Sequence, residues 1–149
     1  MIIYVKGNLL KSDCDVIAHG CNCFCTMGSG IARQIRQKYP GAYQADLETI
    51  NGDLKKLGAF SLFKSEDFDI YNLYTQYKYG SDKVHLVYAA LELSLITMKY
   101  HLQWEYENYS ELKIGFPKIG CGLAGGDWEK VSKIIENVFS DIDVYVYEI

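Results

Sequence analysis

The stretch that decides the fold is residues 18–32, which read Ala-His-Gly-Cys-Asn-Cys-Phe-Cys-Thr-Met-Gly-Ser-Gly-Ile-Ala. A short apolar run precedes it and an amphipathic segment follows it, so it predicts a turn from a strand into a helix. Its glycines leave backbone N–H groups open to a ligand, and the N-terminus of the following helix attracts anions. Gly120–Gly126 is a second glycine-rich stretch of this kind. Together the two stretches predict a binding site for a ligand that carries phosphates.

The composition is that of a globular protein that can fold without a disulfide or a metal. The chain has 149 residues, of which 49% are hydrophobic and 23% are charged. This length predicts a single domain, residues 1–149, that buries roughly 70% of the surface of the unfolded chain. The formal net charge of -4 argues against a basic face for nonspecific nucleic-acid binding. It does not exclude a small polyanion, because backbone N–H groups bind phosphate without net positive charge.

The five cysteines predict a protein of the reducing cytoplasm. Their number is odd, and the first residues lack the charged and apolar regions of an export signal. No apolar run approaches the ~20 residues of a membrane span, so no membrane partner is expected. Cys21, Cys23 and Cys25 are separated by single residues, whereas zinc sites favour at least two residues between paired cysteines. We therefore predict small packing side chains here, and neither a metal ion nor a cofactor.

Hydrophobic patterns predict six strands and four helices. The strands are expected at residues 2–6, 15–19, 59–63, 69–75, 112–116 and 144–149, and the helices at 28–39, 42–56, 84–103 and 127–139. Pro40-Gly41 is expected to end the first helix. The order of these elements predicts an α/β fold with a mixed, mainly parallel sheet and helices on both faces. Ligands of such sheets bind at the carboxyl ends of strands, where both glycine-rich stretches lie.

Three motifs in chain order resemble the macro domain family, whose members bind ADP-ribose. Tyr4–Leu9 resembles the opening strand and turn of that family. His19–Asn22 together with Met27–Ala32 resembles its first ligand loop, and Pro117–Leu123 with Trp128 resembles its second. The similarity spans the whole chain. It implies a three-layer α/β/α fold and a pocket for ADP-ribose or a derivative.

The resemblance implies a role for each part of the site. Asn8 would hydrogen-bond the adenine, where the family often has an aspartate, and Leu9 would pack beside it. Asn22 would bind the hydroxyl groups of the terminal ribose. Backbone groups of the two glycine-rich stretches would hold the ribose and the phosphates. These residues are Gly28, Ser29, Gly30 and Ile31 in the first stretch, and Gly120, Cys121, Gly122, Leu123, Ala124 and Gly125 in the second.

Three branches of the family resemble the chain. One hydrolyses ADP-ribose 1''-phosphate, one releases ADP-ribose from protein glutamate through a lysine and an aspartate, and one removes ADP-ribose from thymidine in DNA. The lysine-using enzymes need an amine just after Thr75 and an acid in the second glycine-rich stretch. Those places hold Gln76 or Tyr77, and Ala124, while Lys78 lies close by but one or two residues out of register. Because glutamine cannot form the covalent intermediate that a lysine can, the resemblance favours the phosphatase.

The phosphatase branch has an active-site histidine at the position of His19. Hydrolysis of a phosphate monoester needs a proton donor, a positioned water and charge stabilisation. We predict that His19 transfers a proton, that Asn22 orients the substrate and that Asp127 acts as a base. The alternatives are a structural role for His19 and helix capping by Asp127. The expected partners are ADP-ribose or ADP-ribose 1''-phosphate. An enzyme acting on ADP-ribosylated protein or DNA, and a noncatalytic ADP-ribose-binding module, stay open.

Overall fold

A six-stranded sheet forms the centre of the computed structural model, which describes residues 1–149. The strands are β1 (Ile2–Lys6), β2 (Val16–Cys21), β3 (Phe60–Lys64), β4 (Asp69–Tyr74), β5 (Ile114–Phe116) and β6 (Val144–Glu148). The helices are α1 (Gly30–Lys38), α2 (Pro40–Leu47), α3 (Tyr88–Glu105) and α4 (Trp128–Val138). No helix is long and apolar enough to cross a membrane.

The strand order is β1-β6-β5-β2-β4-β3, and only the β3–β4 pair is antiparallel. The carboxyl ends of the other five strands therefore meet at one edge of the sheet. Helices α1 and α2 pack against each other on one face, and α3 and α4 on the other. The predicted three-layer arrangement with a mixed, mainly parallel sheet is thus confirmed.

Strand β2 shows why the chain adopts three layers. Val16 and Ala18 belong to the core beneath α3 and α4, whereas Ile17 and Cys21 belong to the core beneath α1 and α2. Because successive side chains of a strand point to opposite faces, His19 also points towards α1 and α2. A strand that is buried on both faces has no polar alternation, as the sequence predicted here.

Three predicted boundaries are wrong next to the first glycine-rich stretch. Strand β2 continues two residues beyond His19 because Gly20 and Cys21 pair with β4. Helix α1 begins at Gly30 and not at residue 28. Pro40 ends α1 as predicted, but helix α2 begins at Pro40 itself and not at residue 42, because the first position of a helix tolerates proline, whose missing N–H would have no partner there.

The predicted helix over 42–56 is shorter, and the one over 84–103 starts late. After Leu47 the chain leaves the helix and forms only a 3₁₀ turn at Leu54–Lys56. Helix α3 begins at Tyr88, because the backbone N–H groups of His85 and Leu86 donate to the Ala124 carbonyl (2.9 and 3.3 Å). Residues 84–87 thereby connect the end of β4 to the second glycine-rich stretch.

Candidate functional site

A cavity of about 550 Å³ opens at the carboxyl edge of the sheet. Two loops enclose it: the first glycine loop, residues 22–29, joins β2 to α1, and the second glycine loop, residues 117–127, joins β5 to α4. The lining residues are Gly20, Cys21, Asn22, Thr26, Met27, Gly28, Ser29, Gly30, Ile31, Ala32, Asp46, Gln76, Tyr79, Gly80, Pro117, Lys118, Ile119, Gly120, Gly122, Leu123 and Ala124.

Buried cysteines hold the first glycine loop in place. Cys23 accepts hydrogen bonds at its carbonyl from the Gly52 N–H (2.7 Å) and from the Lys56 Nζ (3.1 Å). Cys25 donates its thiol to the Asp46 carbonyl at 3.3 Å. Cys25 and Met27 have positive φ angles, 55° and 41°, a rare conformation for side-chain-bearing residues that costs of order 1–3 kcal/mol. The surrounding contacts therefore impose the shape of this loop.

The N-terminus of α1 presents free donors to the cavity. The backbone N–H groups of residues 28–32 form no hydrogen bond within the protein, and the Ser29 side chain does not cap the helix. Uncapped N–H groups and the helix dipole together favour an anion at this position. Gly28, Ser29, Gly30 and Ile31 all line the cavity, so the structure brings these four predicted binding residues together.

The residues of the second glycine loop fall into two groups, according to whether their backbone N–H groups are free or bonded within the loop. Gly120, Gly122, Leu123 and Ala124 line the cavity, and their N–H groups have no acceptor in the protein. The N–H groups of Cys121 and Gly125 are used inside the loop, where they donate to the carbonyls of Lys118 (3.2 Å) and Gly122 (3.1 Å). These last two predicted binding residues do not line the cavity. The other four form a concave donor set suited to a polyphosphate.

Asn22 lies on the cavity wall and also organises the first glycine loop. Its amide Nδ2 donates to Thr26 Oγ1 at 2.7 Å, and its Oδ1 accepts the Phe24 N–H at 2.8 Å. The side chain is half-buried. A ligand hydroxyl that reaches Asn22 therefore meets an amide whose orientation is already fixed.

His19 is fully buried and does not line the cavity. Its Nε2 lies 2.7 Å from Asn72 Oδ1, on the neighbouring strand β4. Burial lowers the pKa of His19 to about 4, although the hydrogen bond to Asn72 opposes this shift. The imidazole is therefore neutral near pH 7 and occupied as a donor to Asn72. This geometry corresponds to the structural alternative and gives no support to direct proton transfer to a substrate.

Three other predicted site residues also lie outside the cavity wall. Asp127 is exposed and caps α4, since its side chain accepts the Glu129 N–H at 3.0 Å. Asn8 caps a 3₁₀ turn by accepting the Leu10 N–H at 3.0 Å. Leu9 is buried in the core beneath α1 and α2. The predicted base and both residues assigned to the adenine are therefore not among the residues that line this cavity, and their roles stay predictions.

Gln76 and Ala124 do line the cavity, at the places where the resemblance locates a lysine and an acid. Gln76 donates its amide to the Lys78 carbonyl at 2.7 Å, and Lys78 itself does not line the cavity. Lys118 does line it, but its Nζ lies 3.2 Å from Glu148 Oε2. No unpaired amine is therefore placed among the lining residues.

Sequence reasoning missed Asp46, the only carboxylate-bearing residue that lines the cavity. It lies on α2, is 1% exposed and accepts a hydrogen bond from Tyr74 at Oδ1 (2.7 Å), while Oδ2 has no partner. Burial raises the pKa of Asp46, and the Tyr74 hydrogen bond opposes the shift. The spacing from Ala42, four residues earlier and fully buried, is the one signal in the sequence that puts this carboxylate on an inward face.

An α/β domain that directs two sets of free backbone N–H groups into one cavity belongs to the class that binds phosphate-bearing ligands. The family model "Macro domain" matches residues 18–135, a range that includes both glycine loops. The chain therefore belongs to the macro domain family.

Two named relatives and one solved structure match the chain over at least 98% of its length. Human ADP-ribose glycohydrolase OARD1 is 36% identical, with 98% of this chain and 90% of the relative covered. The ADP-ribose 1''-phosphate phosphatase of Debaryomyces hansenii is 29% identical over 99% of this chain and 98% of its own length. The solved macrodomain of Mycobacterium tuberculosis DarG has a TM-score of 0.79 and 25% identity, covering 100% of this chain and 98% of that chain.

Proposed function

We propose that this protein is a hydrolase of ADP-ribose 1''-phosphate that releases ADP-ribose and inorganic phosphate. The observation that carries the proposal is the composition of the cavity wall. It combines two sets of free N–H donors with Gln76 and Ala124 at the positions that a lysine-dependent glycohydrolase needs for its amine and its acid. A wall of this kind favours binding of phosphate groups and attack by water over a covalent lysine adduct.

Each part of the substrate is expected to bind a different set of donors in the two loops. We assign the diphosphate to the four free N–H groups of the second glycine loop, and the terminal ribose to Asn22. The free N–H groups at the start of α1 then stabilise the terminal phosphate as water attacks it. Preorganised backbone donors of this kind are worth several kcal/mol in charge stabilisation, and they need no net positive charge on the protein.

An ADP-ribosyl glycohydrolase is the second candidate function. It is favoured by the 36% identity to a relative named as an ADP-ribose glycohydrolase, higher than the 29% identity to the phosphatase. Release of ADP-ribose from protein or DNA would then proceed without a lysine nucleophile in the cavity. A binding module without turnover is the remaining alternative, because the same N–H groups would hold ADP-ribose in all three cases.

A substrate panel distinguishes these functions. We expect the protein to release inorganic phosphate from ADP-ribose 1''-phosphate, and calorimetry to detect binding of ADP-ribose. A much faster reaction with an ADP-ribosylated protein or DNA oligonucleotide would show that the protein is a glycohydrolase and not a phosphatase. Binding of ADP-ribose without turnover of any substrate would identify the protein as a noncatalytic binding module. Absence of binding at high micromolar protein would contradict ADP-ribose as the ligand.

Replacement of Asn22 tests the ribose contact. The Asn22→Ala variant loses the hydrogen bonds to Thr26 and Phe24 that shape the first glycine loop as well as the proposed bond to the ligand. Loss of two to three hydrogen bonds of about 1 kcal/mol each predicts a rise in the Kd for ADP-ribose of at least tenfold, measured by calorimetry. Asn137→Ala, on the exposed side of α4, is the matched control and should bind normally. Equal affinity of the two variants would remove Asn22 from the ligand site.

The predicted cytoplasmic location is retained as part of the proposal. All five cysteines are free, and four of them are buried. Free thiols are the usual state in a reducing compartment. Nucleotide derivatives are also substrates expected there.

A further inference from the structure

We propose that Asp46 is the group that protonates the leaving oxygen of the substrate, and that His19 acts on the reaction only by positioning Asp46. The inference rests on the proposed phosphatase function. It follows from two observations: Asp46 is the only carboxylate residue on the cavity wall, and its Oδ2 atom has no hydrogen-bond partner. Asp46 thereby takes the role that the sequence assigned to His19.

A continuous chain of buried and partly buried hydrogen bonds ends on Asp46. Tyr74 OH donates to Asp46 Oδ1 at 2.7 Å. Ser61 Oγ lies 2.8 Å from the Tyr74 hydroxyl and accepts the Asn72 amide at 3.0 Å. Asn72 Oδ1 in turn lies 2.7 Å from His19 Nε2.

The direction of every bond in this chain can be assigned. Because Tyr74 gives its only proton to Asp46, Ser61 must donate to the Tyr74 oxygen. Asn72 donates through Nδ2 to Ser61 and to the Ala42 carbonyl (3.0 Å), so its Oδ1 accepts a proton from His19 Nε2. Each donor thus points along the chain towards the Oδ1 atom of Asp46. The chain fixes the carboxyl group in one orientation and leaves Oδ2 as its only free oxygen.

The Oδ2 atom of Asp46 is a buried acceptor that forms no hydrogen bond within the protein. A buried polar atom without a partner is destabilising, and a hydrogen bond to a ligand hydroxyl or a water would remove that penalty. The charged and titratable neighbours of Asp46 are Lys56 from the 3₁₀ turn, Tyr74 from β4, Cys21 from β2, and Cys23 and Cys25 from the first glycine loop. Lys56 Nζ is bound to the Cys23 carbonyl and lies 3.6 Å from the Cys25 thiol, and it forms no ion pair with Asp46. Oδ2, although buried, therefore has no protein group that competes with a substrate oxygen.

Water attacks the phosphate while Asp46 protonates the leaving oxygen. The oxygen of a water molecule forms a new bond to phosphorus, and the bond from phosphorus to the ribose oxygen breaks with its electron pair on that oxygen. The proton on Asp46 Oδ2 moves to the ribose oxygen, which becomes a hydroxyl group of ADP-ribose. The water leaves one proton on the phosphate, and its second proton restores the Asp46 carboxyl group. Burial raises the pKa of Asp46 and so favours the protonated form that this step needs.

Asp46→Asn tests the inference because the amide keeps the size of the side chain and an acceptor for Tyr74. We expect kcat for phosphate release to fall by about 100-fold or more, while the Kd for ADP-ribose changes less than threefold. Asp69→Asn is the matched control: Asp69 is also buried with an unpartnered Oδ2 and a pKa raised by burial, but it begins β4 at the opposite edge of the sheet. Its kcat should match that of the wild type.

The outcomes separate this inference from the proposed function. Wild-type protein that releases no phosphate contradicts both. Wild-type activity retained in Asp46→Asn overturns the inference alone. A loss of ADP-ribose affinity equal to the loss of kcat/KM also overturns it, because Asp46 would then be a binding residue.

A second variant tests the chain of hydrogen bonds without removing the carboxyl group. Tyr74→Phe deletes the bond that favours the carboxylate form of Asp46, so the pKa of Asp46 should rise further. An acid that must be protonated loses activity as the pH rises through its pKa. The falling limb of the kcat profile should therefore move to higher pH in Tyr74→Phe. An unchanged limb in an active variant would show that Asp46 is not the acid.

Discussion

The Gly126→Ala variant is expected to lose about 100-fold in affinity for ADP-ribose while remaining folded. A Cβ atom at Gly126 would lie 2.6 Å from the carbonyl oxygen of Gly120, a backbone atom that already accepts the Gly126 N–H at 2.7 Å. The Leu86 side chain would also collide with the added methyl group. The second glycine loop must therefore move, and overpacking of this kind costs typically 1–3 kcal/mol of stability.

The loss of affinity follows from the donors that this movement displaces. Gly120, Gly122, Leu123 and Ala124 supply the four free N–H groups, and each charge-assisted bond is worth about 1.5–3 kcal/mol. Misalignment of only one or two of them accounts for a 100-fold change, which is about 2.7 kcal/mol. Calorimetry gives the affinity and thermal unfolding the stability.

Gly7→Ala is the matched control for this experiment. A Cβ atom at Gly7 meets nothing within 4 Å, so the variant carries the same change in composition without a collision. It should bind ADP-ribose as the wild type does. Normal affinity in Gly126→Ala would mean that the second glycine loop does not hold the ligand.

The parts of the fold that local sequence patterns determine were predicted closely. Strand β1 has the predicted bounds, and β4 ends one residue early. Both glycine-rich stretches form loops at the predicted edge of the sheet, because alternation and glycine content are properties of a few neighbouring residues. The cavity between the loops follows once the strands are parallel.

Boundaries that depend on distant partners were predicted poorly. Val84 and Val87 continue the apolar repeat of α3, yet both are exposed and nonhelical. Val87 donates its N–H to the Thr75 carbonyl at 2.9 Å instead. The apolar periodicity of residues 84–103 cannot predict this bond, because its acceptor, Thr75, directly follows strand β4.

More of the backbone groups than of the side chains predicted for the site lie on the cavity wall, and their binding roles stay predictions. Glycine-rich loops can be recognised from the sequence alone, and eight of the predicted loop positions line the cavity: Gly28, Ser29, Gly30, Ile31, Gly120, Gly122, Leu123 and Ala124. The side chain of His19, in contrast, follows the face of β2 and points into the core beneath α2. Asp46 escaped notice because a single acidic residue in a weakly patterned helix is usually a solvated one.

The stability of the protein is expected to fall by about 2–3 kcal/mol between pH 7 and pH 4.5 because of His19 alone. Burial lowers the pKa of this histidine from 6.5 to about 4 in the folded protein. Between these two values the unfolded chain binds a proton that the folded protein does not. Stability therefore rises with pH across this window, is complete above about pH 6.5 and is lost as the pH falls towards 4.

A comparison of wild type with His19→Gln isolates this contribution. Glutamine can still donate to Asn72 Oδ1, but it does not titrate, so the variant retains only the pH dependence of the other groups. Urea unfolding at pH 7 and pH 4.5 gives the change in unfolding free energy for each protein, and the change should be about 2–3 kcal/mol smaller in His19→Gln. The comparison does not depend on how stable the variant is at neutral pH, because only the difference between the two pH values enters. Parallel pH dependence in the two proteins would mean that His19 has the same pKa in the folded protein as in the unfolded chain. A histidine that ionises so readily would again be a candidate for proton transfer in the cavity.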